Sequence, residues 1–114
     1  LLWKAEAYIK DGQIHAGIAI INKIRQRARA GNNSILADRP TAVDANQAMQ
    51  WLQHERRVEL GFESHRLSDL KRWNIAKQTL VSFGKPFADK HMLYPIPQAE
   101  VDKTVGKISQ NEGY

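Results

Sequence analysis

The sequence has no cysteine. Disulfides, zinc ribbons, thiol nucleophiles and lipidation are therefore excluded on this segment, although the compartment stays open. No apolar run approaches the ~18 residues of a membrane span, and no stretch has the layout of a signal peptide. There is also no uninterrupted basic block. The 17 Lys and Arg exceed the 12 Asp and Glu, for a net charge of +5, but the two signs are interspersed. Nucleic-acid-binding domains gather their basic charge on one face. Nucleic acid is accordingly not an expected partner, and a solvated, mildly basic surface is. Short catalytic signatures are missing too. Ser34, Ser64, Ser68, Ser82 and Ser109 lack a Gly-x-Ser-x-Gly turn, and neither a phosphate loop nor a dinucleotide fingerprint occurs.

What remains is ordinary for a globular protein. The apolar fraction is 42% and the charged fraction 25%. Residues 1–114 are expected to form a single domain, able to bury roughly two thirds of its unfolded surface. Leu1-Leu2-Trp3 opens inside a helical pattern without a capping residue. The expectation is a piece of a longer chain, with targeting signals outside it.

The pattern predicts an all-α fold. Leu1, Leu2, Ala5, Tyr8 and Ile9 share one face of a helix over residues 1–11, and Gly12 supplies its stop. Ile14, Gly17, Ile18, Ile21, Ile24 and Ala28 line a second helix over 13–29, with Asn22, Lys23, Gln26 and Arg29 off that face. So short a link implies an antiparallel hairpin, and Ala5, Gly17 and Ala28 are small enough for close approach. Residues 30–43 carry loop signals. Thr41 or Asp44 can cap a third helix running to about Phe62, with a break near Gly61 and Ser64 and a fourth helix over 64–77. Residues 82–91 read as loop. The residues before Pro95 and Pro97 should be extended, with a helical turn starting at Pro97. The resulting division is a helix hairpin at 1–29, a charged helix pair at 44–77, and a loop and tail at 78–114.

The stretch "ERRVELGFESHRLSDLKRW", residues 55–73, holds the densest chemistry. On a helical wheel the apolar stripe of Ala45, Ala48, Met49 and Leu52 continues into Arg56, Glu59 and Glu63. Trp51, Val58 and Phe62 flank it and Glu55 falls between. In the next helix Leu67, Leu70 and Trp73 form an apolar face that includes Arg66, with Asp69 beside it. Charges on a core-facing stripe cost several kcal/mol per ion unless paired. The spacings allow pairing: Glu55/Glu59, Arg56/Glu59 and Asp69/Arg72 lie three or four apart on one helix, within reach of each other, and Arg66 can reach Glu63 or a carboxylate on another helix. The expectation is a structural ion network of Glu55, Arg56, Glu59, Glu63, Arg66, Asp69 and Arg72. Truncating Glu59 or Arg66 in it should cost ~3–5 kcal/mol. A di-metal carboxylate site would need Glu-x-x-His pairs, whereas here Glu63-Ser-His65 splits the two faces. His54-Glu55 lacks a second His four residues on. A glycosidase-like pair needs one carboxyl with a raised pKa, and the surrounding arginines favour ionised acids. No metal, no cofactor and no catalytic residue is expected. Trp3, off its helix's main stripe, reads as packing on a neighbouring helix, with sugar stacking as the other reading.

Four ordered pieces carry a resemblance: "AEAYIKDGQIHAGIAIINKIRQRA", "ERRVELGFESHRLSDLKRW", "YPIPQAEVD" and "QNEGY". Together they resemble the C-terminal region of the SusD/RagB family of Bacteroidetes nutrient-binding lipoproteins. Ser64, Leu67-Ser68 and Glu112 depart from the usual family residues. The resemblance implies tetratricopeptide-like helix pairs, a surface-exposed lipoprotein of the outer membrane, and a SusC-like TonB-dependent transporter as partner. It also implies non-catalytic binding of an oligosaccharide or other nutrient through parts of the full chain outside this segment. No ligand-binding residue maps onto a motif here. Two other classes stay open: a stand-alone helical-repeat module that binds a peptide, and a carboxylate enzyme.

Overall fold

The computed structural model describes residues 1–114. The chain contains six α-helices, one 3-10 turn and no β-strand. It forms two compact units, Leu1–Glu63 and Ser64–Tyr114. The boundary falls inside the charged segment.

In the first unit α1 (Leu2–Lys10), α2 (Ile14–Arg29) and α3 (Ala45–Glu59) surround one core. α1 stops in a Schellman motif. Gly12 adopts φ +80, Gly12 N donates to Ile9 O at 3.2 Å, and Gln13 N donates to Tyr8 O at 2.8 Å. The chain thereby reverses within three residues, and α2 packs back on α1. The contact is close at Gly17, where an added Cβ would lie 2.5 Å from Ile9 Cγ1 and 3.0 Å from Ala5 O. Ile9, Ile18, Ile21 and Leu52 are fully buried, each stabilising by ~1.5–3 kcal/mol. Leu1, expected on the α1 stripe, is exposed. Glu6 is buried instead, with Lys10 3.0 Å away. Ala28 is exposed as well, and Arg25 takes a buried place on α2.

α3 starts at Asp44, whose carboxylate accepts from Gln47 N at 2.8 Å. It ends at Glu59, three residues before the expected stop. Phe62 and Ser64 then adopt φ +65 and +62, which L side chains take up only at a cost. The wheel does not extend through this turn: Phe62 is fully exposed and Glu63 is exposed too.

In the second unit the helix expected over 64–77 ends early, as α4 (Arg66–Arg72), and a further helix, α5 (Ala76–Ser82), lies mostly in residues expected to be loop. Asn74 divides them at φ +58. Asn74 N donates to Lys71 O and Ile75 N to Leu70 O, at 2.9 and 3.0 Å, a Schellman stop with Asn in glycine's place. Gly84 ends α5 in the same way. A 3-10 turn at Asp89–Met92 lies inside the expected loop, and α6 (Gln98–Lys103) follows Pro97. Leu70 and Ala76 are the buried apolar side chains of this unit.

Candidate functional site

The densest built constellation lies between α2, α3 and the 30–43 loop. It grows from one stripe of α2. Asn22, Arg25, Gln26 and Arg29 fall at i, i+3, i+4 and i+7, so they share a side of the helix. Each of them holds something on another element. Asn22 clamps the backbone of Arg39 from both sides: its Nδ2 donates to Arg39 O at 2.9 Å and its Oδ1 accepts from Arg39 N at 2.8 Å. Arg25 Nε donates to Ala37 O at 2.9 Å. Gln26 Nε2 donates to Asp38 at 3.2 Å. Arg29 donates to Leu36 O at 3.0 Å and pairs with Asp38 at 2.8 Å. A loop without helix or strand is thus tied down along its second half. Its far end meets α3, where the Arg39 guanidinium stacks over the Trp51 ring at 5.1 Å.

Beneath the loop Arg25 also reaches Glu55 of α3, Nη1 to Oε2 at 3.1 Å. Each side chain is 9% exposed, so solvent screens the pair little. The guanidinium has a carboxylate on one edge and a backbone carbonyl on another. A buried arginine needs both to offset its desolvation. One turn further on, Arg27 pairs with Glu59, but Arg27 is 66% and Glu59 27% exposed. That second pair is wet and worth little.

The residues singled out by sequence are placed as follows. Glu55 and Arg56 are buried on α3, and Glu59 closes that helix half-buried. Glu55 and Glu59 meet arginines of α2, not arginines of their own stretch. The Arg56 guanidinium lies over the exposed Trp3 ring at 5.8 Å. Glu63 is in the turn after α3. In the second unit Arg66 opens α4, Asp69 is buried, and Arg72 Nε donates to Asp69 at 2.9 Å. Arg25, Asn22, Arg27 and Arg29 were missed by the sequence reading. Arg25 had a visible signal, because it continues the Ile18–Ile21 stripe at i+7 and i+4.

No three His, Asp or Glu side chains converge on a point where a cation could sit. His15, His54 and His65 are exposed, and His91 Nδ1 accepts from Ala88 N at 2.9 Å. A shallow groove of about 760 Å³ runs between the start of α2 (Gln13, Ile14, His15) and residues Thr41, Val43 and Asp44.

The charges of this constellation therefore face one another across α2, α3 and the loop. The family model of the SusD family matches residues 1–91. The chain belongs to the SusD family. SusD-like protein P2 of Formosa agariphila is 30% identical over 125 aligned positions, which cover the whole of this chain. This SusD-family segment spans 24% of that relative's length. The relative's alignment, unlike the family-model match, also takes in the tail beyond residue 91. No helix of the segment is long and apolar enough to cross a membrane.

Proposed function

We propose that the full-length protein is a non-catalytic glycan- or nutrient-binding lipoprotein of the outer-membrane surface, working with a SusC-like TonB-dependent transporter. In this reading residues 1–114 are one domain-sized part of a longer SusD-like chain and supply helical scaffold. Membership of the SusD family is the observation that carries it. The side chains add support. Glu55 pairs with Arg25, Glu59 with Arg27 and Asp69 with Arg72, which supports a structural use of these charges, and the proposed ion network adds Arg56, Glu63 and Arg66 to them. A carboxylate enzyme needs at least one acid held away from arginine, free to trade a proton.

The test begins with the gene. A signal peptide and lipobox cysteine upstream of residue 1, together with a neighbouring transporter gene, are expected. A cytoplasmic start would overturn the reading in favour of a stand-alone helical-repeat module. A glycan array on the full-length protein then names the ligand. Hydrolysis of an arrayed glycan that disappears in Glu59→Gln, with the fold intact, would overturn the non-catalytic role.

A further inference from the structure

Two of the sequence pieces that no binding role absorbs, "YPIP" and "QNEGY", are bound to each other. Pro95 and Pro97 carry no N–H, so Ile96 has the one amide of that tripeptide. It donates to Gln110 Oε1 at 2.7 Å, and Gln110 Nε2 donates back to Ile96 O at 2.8 Å. A side-chain amide thus stands where a neighbouring strand residue would, exchanging both bonds as in an antiparallel pair. Asn111 Nδ2 donates to Tyr94 O at 2.7 Å and the Tyr114 hydroxyl to Leu93 O at 3.2 Å. From the other side Lys90 Nζ donates to Gly113 O at 3.2 Å and lies 5.1 Å over the Tyr114 ring. Gly113 is required there: at φ +85, an added Cβ would stand 2.9 Å from Lys90 Cβ.

None of these residues is buried. The contacts are polar, numerous and close to solvent, the composition of a segment that opens without global unfolding. They also share members. Gln110 Oε1 accepts from both Ile96 N and Asn111 N, so losing one bond loosens the next. We propose that residues 110–114 are a latch that opens and closes on residues 93–96 as one cooperative unit. The latch also builds one wall of a cleft of about 350 Å³, where Glu112 and Gly113 face Asp89, Lys90, Met92 and Leu93. Opening dismantles that cleft and frees the Ile96 backbone.

Amide hydrogen exchange on the full-length protein tests this. In the wild type, Ile96 and Asn111 should exchange through one common opening, faster than Ile75, whose amide is held by the α4 stop. Gln110→Ala should speed both by about tenfold or more and leave Ile75 unchanged. Tyr114→Phe removes one hydroxyl that does not touch Ile96, yet should speed Ile96 by a few-fold if the latch moves as a unit. The proposal is overturned by unchanged Ile96 exchange in Gln110→Ala. It is equally overturned by a Tyr114→Phe effect confined to the tail, or by Ile75 accelerating alongside, which would report global loss of structure.

Discussion

Glu55→Ala is the most informative single change in the first unit. It leaves Arg25 in place, 8% exposed, with Ala37 O as its remaining acceptor. Removing one member of a buried pair costs ~3–5 kcal/mol, because the other charge stays desolvated. The 9% exposure of both side chains leaves little room for water to soften that. At roughly 4 °C per kcal/mol for a chain of this length, the melting temperature should fall by about 12–20 °C. Glu55→Gln should cost about half as much, since the amide oxygen still accepts a hydrogen bond but without charge. Arg25→Ala should match Glu55→Ala or exceed it slightly; Ala37 is exposed, so water can replace the lost donor at its carbonyl. The double variant Arg25→Met with Glu55→Leu should recover to within ~1–2 kcal/mol of wild type, as buried pairs do when both charges go. Urea unfolding followed by far-UV circular dichroism measures all four, and the Arg25→Ala/Glu55→Ala double variant closes the cycle that yields the coupling energy. Raising salt should leave that coupling nearly unchanged. A loss below ~1 kcal/mol in both single variants, or a coupling that salt abolishes, would mean that water reaches the pair and the burial argument fails.

Glu59→Ala should cost only ~0.5–1 kcal/mol in the same assay, less than its place on the wheel implies, because Arg27 opposite is 66% exposed. Gly17→Ala should destabilise by ~1–3 kcal/mol through overpacking against Ile9 and Ala5; the ~1 kcal/mol gain of an unconstrained helix position would instead show that the α1–α2 approach is loose. Asn22→Ala should cost ~1–2 kcal/mol and make the Ile35–Leu36 bond a thermolysin site, whereas an uncut loop would show that the remaining anchors suffice. Asp44→Ala should lower stability by ~1 kcal/mol through loss of the α3 cap, read as an earlier urea midpoint.

Helix existence was legible wherever local chemistry alone decides it. The α1–α2 hairpin follows from apolar spacing and Gly12, and the start of α3 from Asp44. Legibility failed where a stop is made by a residue that tolerates left-handed backbone without demanding it. Asn74 gave no more warning than any asparagine, so α4 was expected to run on to residue 77 and most of α5 was expected to be loop. Phe62 is a worse case, since nothing in its side chain favours φ +65. The partners of Glu55 and Glu59 were hidden for a different reason. A wheel shows which face a charge occupies, but it cannot show which helix arrives there. Polar residues such as Asn22 and Arg29 look solvated on a wheel when the loop residues they hold are 17 and 7 positions away in the chain and one hydrogen bond away in space.

These placements bear on where a ligand could be held. A sugar or other polar nutrient is recognised by donors and acceptors that are free in the unbound protein. Along the seam between α2 and α3 the α2 groups are already spent on the fold: Arg25 on Glu55 and Ala37, Asn22 on Arg39, and Arg29 on Leu36 and Asp38, which leaves the buried Arg39 Nε as the one side-chain donor there without a partner. A ligand entering there would first have to break a pair whose disruption costs several kcal/mol. It would then have to satisfy both orphaned partners within one small molecule. Recognition by exposed groups that the fold does not need is the lower-energy route. That is the physical reason not to expect a polar ligand along the α2–α3 seam.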